Sequence, residues 1–313
     1  ALEAACARAS WRRRAAIAAA LGACATLALP PVHAVFALVP AFAGLVVLLR
    51  AAGGTRAAFA LGWWFGAAHF ATGLYWIGHA LLVDAARFAW MLPFAIGGLG
   101  AGLGLFAGAA AAATHRLMRA GLAAPPALAA CWLAAEWLRG HVLTGFPWNL
   151  AGTAWAELVP VASLCAWVGL YGLTALTVAT AATAAARATA PRVAALALFA
   201  ALQALQLMPP APPPAQETST RLRLVQPDIP QSLKWDPQER QRHLQLTADL
   251  SMAPGIEAVG HLLWPETATL YPLATEEAFR RELAQLVPPG GYLLAGSIRV
   301  ERGGRLPPWP AGR

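Results

Sequence analysis

The chain has 313 residues, of which 58% are hydrophobic and only 12% charged, and its mean hydropathy is +0.52. This composition leaves too little polar surface to cover a water-soluble globule, so we expect lipid to solvate much of the chain. The formal net charge is +8. Because the arginines lie between apolar segments rather than on one amphipathic face, they favour membrane orientation and argue against nucleic acid as a partner.

Seven apolar segments are each long enough to cross a bilayer core about 30 Å thick, which requires roughly 20 residues in a helix. They lie near residues 15–29, 32–49, 57–80, 88–113, 124–143, 158–186 and 191–208, which predicts a transmembrane domain over 1–208. Ten arginines fall beside the segment ends on one side, and only Arg87 and Arg139 fall on the other. Since positive residues are retained in the cytoplasm, the N-terminus is predicted to be cytoplasmic and the region after about residue 209 to lie outside the inner membrane.

The four cysteines, Cys6, Cys24, Cys131 and Cys165, all lie in the apolar portion or at its edge. They form no CxxC pair, and no histidine lies near them at ligand spacing. We therefore expect small apolar fillers in helices, with no disulfide framework and no metal site.

After the apolar portion, residues 209–220 are rich in proline and are predicted to be a linker. In the remaining region, 221–313, the pattern predicts strands over 221–226, 261–264 and 292–298 and a helix over 237–251. A second helix is predicted to be capped by Thr275. The fold class is therefore a polytopic α-helical membrane bundle followed by part of an α/β sandwich.

The string HLLWPETATLYP, from His261 to Pro272, is the most informative one for chemistry. A buried strand that ends in Trp-Pro-Glu would place Glu266 at the mouth of a sheet, where a carboxyl group can be tuned for proton transfer. From the pattern alone, a solvated carboxylate on a strand-to-loop turn is the favoured interpretation.

A family resemblance favours a catalytic role for Glu266 over a solvated carboxylate. The string WPET resembles the glutamate motif of the nitrilase superfamily, and QPDIPQSLKWD, residues 226–236, is similar to the opening strand and loop of its lipoprotein-processing branch. With GFPWN at 145–149 and the preceding apolar segments, the ordered combination resembles the apolipoprotein N-acyltransferase family over nearly the whole chain. The resemblance implies that 221–313 is the N-terminal part of a periplasmic nitrilase-like (αββα) domain.

The resemblance also implies a Glu-Lys-Cys triad and two-step acyl transfer. The glutamate activates the cysteine, whose thiolate takes an acyl chain from a membrane phospholipid as a thioester while the lysine stabilises the oxyanion. The α-amine of the diacylglyceryl cysteine of an apolipoprotein then accepts the chain. No dissociable cofactor is implied, and a monomer is expected. By motif, Glu266 matches the catalytic base.

The other two triad members match nothing in the sequence. Lys234 is the only lysine and belongs to the KWD loop, and all four cysteines precede residue 166. We therefore expect a C-terminally truncated chain that cannot form the acyl-enzyme as given. Two alternatives stay open, a catalytically dead remnant that binds lipid or a partner, and a small membrane transporter with a periplasmic domain.

Further residues have both structural and functional interpretations. Trp148 fits an interfacial tryptophan and Trp235 a loop aromatic covering a sheet edge, whereas the resemblance makes Trp148, Gly145 and Trp235 substrate-binding residues. Glu136 and Arg139 lie three residues apart on one helical face, which predicts an ion pair that either serves a site or orients the GFPWN loop.

Overall fold

The structure is a computed structural model that describes residues 2–206, 218–231, 233–269 and 271–297. The chain divides into two compact units, Ala1–Ala211 and Pro212–Arg313. Most of the predicted linker 209–220, and the part of the predicted 221–313 domain after residue 297, lie outside the described residues. The predicted domain boundaries therefore stay predictions.

The described part of the first unit consists of helices joined by turns and loops. In chain order its helices are α1 Leu2–Arg8, α2 Trp11–Thr26, α3 Leu38–Arg50, α4 Thr55–Gly73, α5 His79–Leu82, α6 Ala85–Phe88, α7 Leu92–Arg119, α8 Ala124–His141, α9 Val159–Ala162, α10 Cys165–Thr183 and α11 Thr189–Gln206. Each predicted apolar segment overlaps one of the long helices. The 158–186 segment is not one continuous helix, because Gly169 adopts a left-handed φ of 67° that interrupts the helical geometry.

Two helical stretches within the described residues are long and apolar enough to cross a membrane, Ala85–Arg119 and Cys165–Thr183. Val35–Arg50 and Thr189–Ala204 are apolar but shorter. An α-helix rises 1.5 Å per residue, so the shorter helices fall below the length that a straight crossing of the bilayer core requires. The prediction of seven crossings stays a prediction.

The core of the first unit surrounds α3. Phe42 of this helix lies edge-on to Trp132 of α8, with ring centroids 5.0 Å apart, and Phe65 of α4 lies 5.7 Å from the same tryptophan. Aromatic rings in this tilted arrangement contribute more than their buried area alone. The cluster fixes α8, the helix from which the candidate site is built.

Small residues bring α4 and α7 close together. A side-chain Cβ on Gly66 would lie 2.5 Å from the Cβ of Ala107, and one on Gly104 would lie 2.8 Å from the backbone nitrogen of Ala67. Such distances leave no room for a larger residue, so glycine permits this approach of the two backbones. The close helix packing that the Ala- and Gly-rich sequence of α7 indicates is present in the structure.

The second unit contains a three-stranded parallel sheet in the order β1-β2-β3. Among the described residues of this unit, the elements are β1 Leu222–Leu224, α12 Arg240–Ser251, β2 His261–Leu263, α13 Glu277–Ala284 and β3 Tyr292–Leu294. This confirms the predicted alternation of strands and helices. The predicted cap is wrong: α13 begins two residues after Thr275, whose hydroxyl donates instead to the carbonyl oxygen of Pro272 at 3.3 Å.

Candidate functional site

One candidate site, in the first unit, is the loop that follows α8 and contains GFPWN. Gly145 adopts a left-handed φ of 75°, and a Cβ at this position would lie 2.5 Å from the carbonyl oxygen of Gly140. Glycine alone fits such a turn without strain. The turn folds the loop back onto α8, where the backbone nitrogen of Phe146 donates to the carbonyl oxygen of Arg139 at 2.9 Å.

Arg139 holds the first half of this loop from within the bundle. The residue is only 2% exposed, and its Nη1 donates to the carbonyl oxygens of Phe146 and, at 2.7 Å, of Trp148. The guanidinium carbon also lies 4.8 Å from the centre of the Phe70 ring. Charge-assisted hydrogen bonds and a cation–π contact therefore fix the backbone on both sides of Pro147.

Glu136, which is 5% exposed, holds the end of the same loop. Its Oε1 accepts from the indole nitrogen of Trp132 at 2.9 Å and from the backbone nitrogen of Ala151 at 3.0 Å. Its Oε2 accepts from the hydroxyl of Thr174 on α10 at 2.8 Å. The carboxylate thus joins α8, the loop and α10.

The predicted ion pair between Glu136 and Arg139 is not formed directly. No nitrogen of Arg139 lies within the 4.0 Å that defines such a contact with the carboxylate, although both residues are buried and one helical turn apart. The carboxylate of Glu136 instead accepts from Trp132, Ala151 and Thr174. Nη1 of Arg139 donates to two loop carbonyls, whereas its Nη2 is buried with no hydrogen-bond partner among the described residues. The two residues share a partner, the 145–151 loop, rather than pairing with each other.

A small buried cavity lies beneath this loop and is lined by Glu136, His69 and Asn149 among apolar residues. Asn149 has a left-handed φ of 55°, and its Nδ2 finds no hydrogen-bond partner among the described residues. The Nδ1 of His69 lies 3.3 Å from the hydroxyl of Thr26. Sequence reasoning overlooked Asn149, for which the signal was its place directly after Trp148 in the GFPWN string.

Trp148 presents its ring at the surface of the loop. It is 51% exposed, and its ring centroid lies 5.3 Å from that of Trp76, which is itself 42% exposed. The two indoles form an exposed aromatic pair above the buried Arg139. This placement fits an interfacial tryptophan and a substrate contact equally.

A separate candidate site, in the second unit, is the WPET turn at the end of β2. The indole of Trp264 is buried and donates to the hydroxyl of Ser251 at 2.8 Å, whereas Glu266 is exposed. Thr267 has a left-handed φ of 50°, so the chain turns sharply directly after the glutamate. The described residues therefore do not bury the carboxyl group of Glu266 at the mouth of the sheet.

The structure brings the KWD loop to the WPET turn. Lys234 donates from Nζ to the backbone carbonyl oxygen of Glu266 at 3.2 Å, across 32 positions of sequence. The neighbouring Trp235 is 57% exposed. Two of the motifs that carry the family resemblance thus meet at the same edge of the sheet.

Gly296 supports the WPET turn from the strand side. A Cβ at this position would lie 2.6 Å from the nitrogen of Thr267, 2.9 Å from the Cα of Glu266 and 2.9 Å from the carbonyl oxygen of Pro265. Because all three atoms belong to the backbone, we expect Gly296→Ala to destabilise the second unit by about 1–3 kcal/mol. The rate of limited proteolysis of the 313-residue chain in detergent would measure this loss of stability, with Ala274→Ser at an exposed position as the control. Equal cleavage rates for Gly296→Ala and the unchanged chain would contradict the expectation.

Among the described residues, no group of three or more His, Cys, Asp or Glu side chains lies close enough to hold a metal ion. The four cysteines are unpaired and half-buried in the first unit.

The chain thus combines a helical unit, which has two apolar helical stretches long enough to cross a membrane, with a separate parallel α/β unit that carries an exposed glutamate. The family model described as the apolipoprotein N-acyltransferase N-terminal domain matches residues 21–183, and the chain belongs to this family. It is 38% identical to the apolipoprotein N-acyltransferase of Rhodopseudomonas palustris over 95% of this chain and 59% of that protein.

The chain is similar in the same way to two further apolipoprotein N-acyltransferases. It is 37% identical to that of Caulobacter vibrioides, over 93% of this chain and 57% of the relative. It is 39% identical to that of Brucella suis, over 94% of this chain and 59% of the relative. The chain therefore spans somewhat less than three-fifths of the length of the curated relatives it matches.

Proposed function

We propose that the chain serves the phospholipid-dependent N-acylation of the N-terminal diacylglyceryl cysteine of apolipoproteins, the last step of lipoprotein maturation. The observation that carries the proposal is the meeting of the KWD and WPET motifs at one edge of the parallel sheet, with Glu266 exposed beside Lys234. The relatives, which are all named apolipoprotein N-acyltransferases, support the same reaction. The donor is a membrane phospholipid and the acceptor an apolipoprotein.

In this proposal the second unit is a nitrilase-like domain and Glu266 is its catalytic base. The carboxylate takes the proton of a cysteine thiol, and the thiolate attacks the acyl ester of the phospholipid. A lysophospholipid leaves, and the amine of the acceptor then displaces the thiolate from the thioester. An exposed carboxylate at the end of a strand is accessible to such a partner group, whereas Lys234 has a positioning role through the backbone of the WPET turn.

The proposed substrate contacts are Trp148, in the first unit, and Trp235, in the second. Each indole is more than half exposed, so each can cover an acyl chain or a headgroup without rearrangement of the core. Gly145 contributes by its turn, and Glu136 and Arg139 contribute by holding the loop that carries Trp148. These last two residues are positioning residues.

The proposed location is the bacterial inner membrane, with several crossings, a cytoplasmic N-terminus and a periplasmic second unit. The support is the distribution of arginines, ten on one side against two on the other, together with the apolar helices. An odd number of crossings brings Glu266 to the side of the membrane on which lipoproteins mature.

We expect the 313-residue chain by itself to form no acyl-enzyme. Its four cysteines all lie in the first unit, before residue 166, and none matches the nucleophile by motif. The test is incubation of the purified chain with a phospholipid that carries a labelled palmitoyl group, followed by detection of hydroxylamine-sensitive label on the protein. The Rhodopseudomonas palustris relative serves as the positive control, and a labelled thioester on the 313-residue chain would overturn this part of the proposal.

A further inference from the structure

A second candidate site lies in the first unit, apart from the loop that carries Trp148. It is an open cavity of about 660 Å³, lined on one side by α3 and on the other by residues 184–187 and Arg192. This volume falls within the usual range for small-molecule pockets. Neither the family resemblance nor the proposed acyl transfer assigns it a role.

The wall formed by α3 is the one open side of an otherwise buried helix. Eight of its 13 residues are buried. The other five are the ones that line the cavity, and they are Pro40, Ala43, Gly44, Val47 and Arg50. Their spacing places them on one helical stripe, so an apolar track leads along α3 to a guanidinium group.

Arginines at the end of this apolar track already bind a carboxylate, that of Glu3. Arg50 donates from Nη1 to Glu3 Oε1 at 2.9 Å and to the carbonyl oxygen of Ala185 at 2.7 Å, which fixes its guanidinium in place. The second oxygen of Glu3 lies 3.7 Å from Nη2 of Arg187, and Arg192 completes the rim. Three arginines against one carboxylate leave a positive excess at the end of an apolar stripe.

We infer that this cavity binds an anionic phospholipid, with its phosphate at the arginine rim and one acyl chain along the α3 stripe. Guanidinium groups match the geometry of phosphate oxygens, and basic pockets between membrane helices recognise anionic headgroups. The carboxylate of Glu3 occupies one phosphate position and therefore competes with the lipid. The inference does not depend on acyl transfer. If the N-terminus is cytoplasmic, as proposed, the bound lipid belongs to the cytoplasmic leaflet.

Native mass spectrometry tests whether the cavity prefers an anionic lipid. The 313-residue chain is released from a neutral detergent in the presence of phosphatidylglycerol or phosphatidylcholine. We expect phosphatidylglycerol to bind more tightly, and Arg187→Gln and Arg192→Gln each to weaken it roughly fivefold. Glu3→Gln should strengthen binding by removing the competitor. Arg187 and Arg192 are exposed, so their replacement leaves the core intact.

The matched control is Arg119→Gln. Arg119 is exposed at the end of α7, where His115 reaches the carbonyl oxygen of Leu49 on α3, but it does not line the cavity. This variant should bind phosphatidylglycerol like the unchanged chain. Equal binding of the two lipids, or unchanged binding in the double variant Arg187→Gln/Arg192→Gln, would overturn the inference. Inorganic phosphate that displaces the lipid at equal concentration would assign the site to a free anion instead.

Discussion

Replacing Arg139 with methionine is expected to lower the free energy of unfolding of the first unit by about 3 kcal/mol. The substitution keeps an unbranched apolar side chain but removes the donor to two loop carbonyls, those of Phe146 and Trp148, and the contact with Phe70. Each carbonyl then loses a charge-assisted hydrogen bond in a site that water does not reach easily. The measurement is the thermal unfolding midpoint in detergent, which should fall by several degrees.

Arg87→Met is the matched control for the loss of an arginine. Arg87 is exposed, and its guanidinium carbon lies 5.2 Å from the centre of the Phe88 ring, an arrangement similar to that of Arg139 over Phe70 but at the surface. Exposed charges contribute little to stability, so this variant should unfold close to the unchanged chain. Comparable losses in both variants would show that Arg139 does not hold the loop.

Glu136 and Arg139 show what the sequence could and could not predict about the first unit. Their spacing and their place in an apolar helix predicted two charged residues on one face that need partners. The partners that the loop supplies, the carbonyl oxygens that Arg139 binds and the Ala151 nitrogen that donates to Glu136, could not be read from the spacing, because the path of the loop depends on the left-handed turn at Gly145. Polar groups of a loop at the end of a buried helix need partners, and here the carbonyl oxygens of Phe146 and Trp148 find one in Nη1 of Arg139.

In the second unit too, the sequence predicted features that depend on neighbouring residues but not contacts between residues far apart in the chain. Local patterns of polar and apolar residues predicted the order of strands and helices, because such patterns involve residues that are close in the sequence. The contact between Lys234 and the backbone of Glu266 depends on which loops the parallel sheet brings together, and no local pattern encodes it. The exposure of Glu266 likewise follows from the sharp turn at Thr267, a residue type that seldom adopts a left-handed conformation.

Loss of the Glu266 carboxylate should have the largest effect on acyl transfer. The nucleophile is not among the 313 residues by motif, so the test uses a chimera in which residues 1–297 are followed by the remaining part of the Rhodopseudomonas palustris relative. In this chimera we expect Glu266→Gln to lower the rate of transfer from phospholipid to a diacylated peptide by about 10²–10⁴-fold, the usual contribution of a general base. Glutamine keeps the size of the side chain but cannot accept the thiol proton.

Glu276→Gln in the same chimera is the control for the loss of an exposed negative charge, as distinct from the loss of the catalytic base. Glu276 is also an exposed carboxylate of the second unit and directly precedes α13, away from the WPET turn in sequence. Its replacement should leave the rate unchanged, because it removes the same charge without removing the proposed base. A single-turnover assay that detects the thioester resolves the step, since Glu266→Gln should prevent its formation rather than slow its transfer to the amine. Normal thioester formation in Glu266→Gln would show that the base lies elsewhere in the enzyme.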